Sequence, residues 1–256
     1  MSVRAHAQTS APGTHAPGTA DEQQAARWVQ GMFAKVAPTY DLLNRLLSFN
    51  VDRGWRKVLT RELTPILARP DAQILDLCCG TGDVLIEFQS QARATVMGAD
   101  FCYPMLAAAQ SKLQHQNLSS PLFGADALTL PLRDCTFDAI AIAFGFRNLA
   151  NYRAGLSELQ RVLKPGGVLA ILEFSHPPGR LMKRAYGFYS HVILPVVGRI
   201  VSGSPDAYTY LPKSIGEFPS AELLREMMTD AGFFNTRFQL LTGGIASLHI
   251  GSRKQG

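Results

Sequence analysis

The sequence predicts a doubly wound α/β domain behind a helical amino-terminal cap, its mostly parallel sheet of seven strands closed by an antiparallel hairpin. Three observations lead there. Between residues 74 and 172 short apolar runs alternate with helical stretches, the pattern of parallel strands joined by helical crossovers. The first run ends in a small-residue turn, Cys78-Cys79-Gly80-Thr81-Gly82, directly before a helical stretch. Two later runs are separated by Gly243-Gly244, as in a hairpin.

Residues 1–22 hold mainly Ala, Pro, Gly, Thr and His, with the APGT of 11–14 repeated at 16–19. They lack the apolar core of a signal peptide and the Arg-rich character of a transit peptide, so they read as a disordered leader. A helical cap follows over 23–70. Its first helix, Asp21–Val36, starts on Asp21 as N-cap and puts Trp28, Met32 and Phe33 on one face. Asp41–Leu47 and Trp55–Leu67 are shorter helices. The α/β domain then occupies 71–256. Its strands are Ile74–Cys78, Thr95–Ala99, Pro121–Gly124 (the weakest signal), Ala139–Ala143 and Val168–Leu172. Helices at Asp83–Ser90, Pro104–Gln114 and Arg153–Leu163 connect them, and Ser220–Ala231 precedes the hairpin strands Arg237–Leu241 and Ser247–Ile250.

Composition narrows the functional classes. A chain of 256 residues with 46% apolar and 18% charged residues can bury a full core, which excludes disorder over its length. Its net charge of +5 contains no block of like charges, so no nucleic-acid arm is indicated, while weak attraction to anionic lipid is compatible. The cysteines at 78, 79, 102 and 135 form no C-x-x-C pair. No metal site is expected, and a reducing cytoplasm is the economical location. No apolar run is long enough to span a membrane; Val192–Val201 is broken by Pro195, Gly198 and Arg199.

The chemistry begins at the turn after the first strand. Gly80 and Gly82 let the backbone approach a ligand, with Thr81 between them. A dinucleotide fingerprint would need glycine where Leu85 stands, and the Lys-Ser/Thr of a phosphate loop is missing. Asp76 instead suits a ligand carrying a cation. Asp100, with Phe101 beside it, ends the second strand, where a carboxylate can take ribose hydroxyls. Asp126 and Ala127 follow the third strand, where an adenine amino group could be met. In this order and spacing the pieces resemble the class I S-adenosylmethionine-dependent methyltransferases. The fourth strand runs into Ala143-Phe144-Gly145-Phe146-Arg147-Asn148, not the Asn/Asp-Pro-Pro-aromatic motif of DNA amino-methylating enzymes, and no Pro-Cys nucleophile is present. A small-molecule acceptor is favoured.

Two more stretches narrow the class. Tyr40-Asp41-Leu42-Leu43-Asn44 with Leu47-Ser48-Phe49 and Trp55 resembles one signature of the ubiquinone/menaquinone-biosynthesis C-methyltransferases. Arg161-Val162-Leu163-Lys164-Pro165-Gly166-Gly167, running on to Glu173-Phe174-Ser175, resembles their second. The likeness covers roughly residues 30–252 and continues through Asp206-Ala207-Tyr208 and Phe218-Pro219 to Leu241-Thr242-Gly243-Gly244-Ile245. It departs at Asp52, where many members have His, at Ala143, where many have Ser, and at Cys78, where many have Gly or Ala.

That resemblance implies transfer of a methyl group from S-adenosylmethionine to a ring carbon of a polyprenylated quinol. Thr81, Asp100, Asp126 and Ala127 match cofactor contacts, and Arg147 and Asn148 match the polar pair facing the quinol. The Leu46–Arg53 version of the first signature looks more like menaquinone-making members, which points to demethylmenaquinol; the benzoquinol of ubiquinone synthesis is the alternative. A quinol ring carbon becomes more nucleophilic as its hydroxyl loses a proton, so Arg147 is expected to stabilise the oxyanion, a guanidinium being a poor base. An ion pair with a nearby carboxylate is the competing reading of Arg147. Tyr40 and Tyr208 are candidate ring or hydroxyl contacts, and His176 and His191 candidate bases. The flap around 176–219 contains the apolar stretch Leu181–Val201, which would touch the tail and the membrane surface, or else pack on the domain or in a homodimer. A noncatalytic, S-adenosylmethionine-binding scaffold subunit is the alternative of another class.

Overall fold

The computed structural model describes residues 13–14, 16–179 and 205–255. The apolar run that opens the α/β region forms β1 (Gln73–Leu77), buried at four of its five positions. A strand covered on both faces needs such a continuous run, not an alternating one. It pairs in parallel with β2 (Thr95–Asp100) on one side and β4 (Phe137–Ala143) on the other. β3 (Leu122–Gly124) lies parallel beyond β2, and β5 (Leu163–Phe174) parallel beyond β4. β6 (Phe233–Leu241) and β7 (Ala246–Arg253) add the antiparallel hairpin, giving the order β3-β2-β1-β4-β5-β7-β6. The chain reverses its direction of winding between β1 and β4, and a crevice opens there at the carboxyl ends of the strands.

Helices cover both faces. Before the sheet come α1 (Glu22–Val36), α2 (Tyr40–Ser48) and α3 (Val51–Leu67). α4 (Asp83–Gln89) follows β1, α5 (Tyr103–His115) follows β2, and α6 (Tyr152–Val162) leads into β5. α7 (Pro205–Glu217) and α8 (Ala221–Asp230) precede the hairpin. Because strand side chains alternate, Leu75, Ile140 and Ile171 meet Leu156, Leu159 and Met228 on one face, while Ile74, Ala139 and Ala170 meet Leu59, Leu63 and Phe88 on the other.

Several boundaries differ from expectation. Asp21 does cap α1, accepting the Gln24 N–H at 2.7 Å. The expected division at 70/71, however, falls inside one core, because Leu59, Leu63 and Leu67 of α3 pack with Ile74 of β1. Residues 13–14 and 16–22, expected within the disordered leader, are described and include buried positions. Thr14 N–H donates to the Leu149 carbonyl at 2.8 Å, and Ala16 is buried against Val29, Met32 and Tyr210. β6 starts four residues before the expected Arg237, because a bulge between Phe234 and Arg237 breaks the alternation that would have marked it. The Lys164-Pro165-Gly166-Gly167 turn lies within the span of β5: pairing to β4 holds at Leu163, lapses, and resumes at Val168. Residues 180–204, which carry most of the expected flap and His191, lie outside the described residues.

His249 on β7 yields a stability prediction. Its Nε2 lies 2.8 Å from the Ala221 carbonyl at the start of α8, and Nδ1 has no hydrogen-bond partner among the described residues. Burial pushes the imidazole down from 6.5 to about 4. Between those values the unfolded chain binds the proton and the folded chain does not. Stability from this group is therefore complete above pH 6.5 and is lost as the pH falls toward 4. Acidification from pH 7.5 to 5 is expected to cost about 2 kcal/mol through this residue. Urea midpoints of His249→Gln should accordingly fall less steeply with pH than those of the parent chain; parallel curves would contradict this.

Candidate active site

A cleft opens at the carboxyl ends of β1, β2 and β4. Gly80 forms its floor. Its φ of +53° suits glycine, and a Cβ there would project into open cleft, with Tyr40 Cε1 the nearest atom at 4.0 Å. Asp100, buried at the end of β2, faces the same space. Its Oδ2 accepts the Gly80 N–H at 2.8 Å and its Oδ1 accepts the Cys102 N–H at 2.9 Å. The backbone N–H of Phe101 also bonds this carboxylate, which leaves acceptor capacity for a ligand hydroxyl. Burial pushes this carboxyl up, opposed by those backbone bonds. Phe101, Asp126, Ala127 and Ala143 also line the cleft. The Asp126 carboxylate accepts the Leu128 N–H at 2.9 Å, which orients it. A nucleoside with its ribose against Asp100 and its base toward Asp126 fits this floor, so the residues present suit S-adenosylmethionine.

Three residues expected at the cofactor do not line the cleft. Asp76 is buried beneath α4 and takes the backbone N–H of Leu85, an otherwise unpaired donor of the first turn. Burial pushes its carboxyl well above the usual range. Asp76 thus anchors the start of α4, while its Oδ2 has no hydrogen-bond partner among the described residues. Thr81 donates its hydroxyl to Asp41 Oδ1 at 2.6 Å and accepts from Lys112 Nζ at 3.0 Å, which turns it toward α2 and α5. Gly82 has φ +83° at the start of α4, and a Cβ there would come within 3.1 Å of Ala109 Cβ on α5. Its demand is helix packing.

Of the residues expected at the acceptor, Tyr40 and Asn148 line the cleft and Arg147 does not. Arg147 is 5% exposed and Glu173 fully buried, with Nη1 2.8 Å from Glu173 Oε1. The same nitrogen donates to the Phe144 carbonyl at 2.5 Å, and the Arg147 backbone N–H donates to Glu173 Oε2 at 3.2 Å. The guanidinium carbon stands 5.3 Å from the centre of the Phe174 ring. Arg147 is therefore ion-paired in this structure, and its partner lies within the Glu173-Phe174-Ser175 motif. Tyr40 begins α2; burial pushes its phenol up, leaving it a hydrogen-bond donor at neutral pH. His176 is bonded to the Phe218 carbonyl at 2.9 Å and does not line the cleft. Asp52 pairs with Arg56 at 2.7 Å on α3. The Tyr208 side chain lies outside the described ones.

Sequence reasoning missed parts of the wall. Ala26 and Phe33 of α1 line the cleft; the helical periodicity marked Phe33 as buried without saying against what. Cys78 and Phe144, at the ends of β1 and β4, both adopt left-handed backbone, φ +56° and +58°, with no local signal for it. Gly145 packs so closely that a Cβ would sit 2.3 Å from Cys78 Cβ.

Breaking the buried pair from one side is expected to be costly. Arg147→Ala leaves Glu173 without its counter-charge and should destabilise the fold by about 3–5 kcal/mol, whereas Arg147→Met combined with Glu173→Leu should recover most of that loss. Urea unfolding of both variants measures it. A loss under about 1 kcal/mol for Arg147→Ala would mean the pair is not desolvated as described.

Comparison with known proteins gives the same reading. The profile of the ubiE/COQ5 methyltransferase family matches residues 19–253. A protein of Thermus thermophilus named demethylmenaquinone methyltransferase is 48% identical over 223 residues, 87% of this chain and 100% of the relative. One of Geobacter sulfurreducens, named ubiquinone/menaquinone biosynthesis C-methyltransferase UbiE, is 42% identical over 88% of each chain. Among solved structures, a SAM-dependent methyltransferase from Aquifex aeolicus superposes with a TM-score of 0.55 at 20% identity, over 77% of this chain and 88% of that one, a likeness of fold. The glycine floor and the acid at the end of β2 suit S-adenosylmethionine, and the sequence kinship spans nearly the whole chain: it belongs to the ubiE/COQ5 methyltransferase family and is an S-adenosylmethionine-dependent methyltransferase.

Proposed function

We propose that the protein methylates a ring carbon of reduced, polyprenylated demethylmenaquinol. One observation carries the reading: Gly80 and Asp100, which suit a nucleoside, and the aromatic residues Phe33, Tyr40 and Phe144 line the same cleft. Such an aromatic lining suits a fused naphthoquinol ring and excludes water from it. The name of the Thermus relative, whose whole length this chain matches, supports the naphthoquinol over the benzoquinol.

Bound S-adenosylmethionine supplies a sulfonium methyl, an electrophile needing no further activation. The protein's task is to align a ring carbon with it and to stabilise the oxygen from which electron density is drawn. The Tyr40 hydroxyl and the Asn148 amide are the donors lining the cleft for that oxygen. Arg147 acts on this reading through Phe144 and Asn148, its charge already balanced by Glu173. The polyprenyl tail and contact with a membrane surface are assigned to the stretch 181–201, outside the described residues. No helix among the described residues is long and apolar enough to cross a membrane.

Two experiments test this. With acceptors of short tail held reduced by dithionite, the purified protein should methylate the demethylated naphthoquinol in preference to the corresponding benzoquinol. Preference for the benzoquinol would shift the assignment to ubiquinone synthesis. Binding of S-adenosylhomocysteine without turnover of either would favour a scaffold. In calorimetry, Asp100→Ala should weaken S-adenosylhomocysteine by about 1.5–3 kcal/mol, as for lost hydrogen bonds to a charged group. An unchanged dissociation constant would remove Asp100 from the ribose.

A further inference from the structure

A chain of hydrogen bonds reaches the cleft from the amino-terminal segment. The Asn148 amide is clamped on two sides: Oδ1 accepts the Tyr210 hydroxyl at 3.0 Å, and Nδ2 faces the Phe144 carbonyl at 3.5 Å. A carbonyl only accepts, so turning the amide over would set two acceptors against each other. Tyr210, on α7, has a single phenolic proton and gives it to Asn148. The 2.7 Å contact between the Thr14 and Tyr210 hydroxyls therefore has Thr14 as donor. Thr14 is itself fixed by its N–H bond to Leu149, and Gly13 lies so near Ala150 that a Cβ would sit 1.9 Å from the carbonyl oxygen. Thr14 and Tyr210 are 7% and 2% exposed, so water does not compete for these bonds.

We propose that Tyr210 and Thr14 are positioning residues for methyl transfer: they hold the Asn148 amide with its Nδ2 turned toward the acceptor oxygen. The segment around Thr14 thereby becomes a working part of the site, although it precedes residue 19, where the family match begins. The inference rests on the reading of Asn148 as a donor to the quinol. One Nδ2 hydrogen reaches toward Phe144; the other is left for the oxygen that gains charge. Donation into Oδ1 polarises the amide and strengthens that hydrogen as a donor. The benefit grows as charge develops, so its loss appears in kcat more than in KM.

The test is methyl transfer to the reduced short-tail naphthoquinol, with S-adenosylhomocysteine affinity measured on the same samples. Tyr210→Phe keeps the ring packed on Trp28, 5.1 Å between centroids, and removes only the hydroxyl. It should lower kcat roughly 10- to 100-fold, leaving KM and S-adenosylhomocysteine affinity within about twofold. Thr14→Val should lower kcat by a smaller factor, and Thr14→Ser should restore it. Placed on Asn148→Ala, Tyr210→Phe should add no further loss. Parent-like turnover in Tyr210→Phe beside an impaired Asn148→Ala, or additive losses in the double variant, would overturn the inference and leave the reading of the site standing. Parent-like turnover in Asn148→Ala would remove that reading, and the inference with it.

Discussion

The buried pair between Arg147 and Glu173 fixes the turn on which the acceptor side of the cleft is built. Taking two charges out of water is unfavourable, and the attraction between them offsets that only with good geometry and further hydrogen bonds. Here the charged atoms are 2.8 Å apart and further hydrogen bonds support them, while Arg147 Nε has no partner among the described residues. Glu173 takes the side chain and the backbone N–H of Arg147 together with the Phe174 N–H, and Arg147 also donates to Phe144. The last residues of β5 are thus bolted to the turn after β4. A hydrophobic pair could stabilise such a site as well, but it would not specify the direction of the Phe144 carbonyl, from which the Asn148 amide takes its orientation.

The cofactor side is held by a separate set of charges. Lys112 on α5 reaches Asp41 at 2.5 Å, Asp83 at 2.7 Å and the Thr81 hydroxyl at 3.0 Å. This ties α2, and with it Tyr40, to the turn after β1. The two sides meet where Gly145 presses on Cys78. Two non-glycine residues in left-handed backbone, Cys78 and Phe144, stand at that junction. Such strain persists only where the surroundings over-determine it, and here each strand end is fixed from the far side by ion pairs. The winding reversal between β1 and β4 opens the crevice, and the two charge networks tie down the turns that border it.

What was legible in the sequence follows from range. The buried strands β1, β2 and β4 announce themselves as apolar runs, and the Asp21 cap and the hairpin turn are local chemistry. β6 was half-hidden because its bulge shifts the alternation by one residue. Gly80, Asp100 and Asp126 sit at strand ends, where position alone aims them at the cleft. Asp76 and Thr81 share that neighbourhood, yet their side chains turn to α4 and α2, which spacing along the chain does not reveal. Arg147 needed a partner 26 residues away to be understood. The Thr14 segment, repetitive in composition, gave no sign that it docks beside Leu149 and Ala150.

The most direct test is a crystal structure of the protein with S-adenosylhomocysteine and a short-tail reduced demethylnaphthoquinol. The ribose hydroxyls should lie within hydrogen-bond distance of Asp100, and one quinol oxygen should lie within hydrogen-bond distance of Asn148 Nδ2. The Arg147–Glu173 pair should be intact behind them. A ribose bound away from Asp100, or a quinol oxygen held directly by an Arg147 that has left Glu173, would contradict this account.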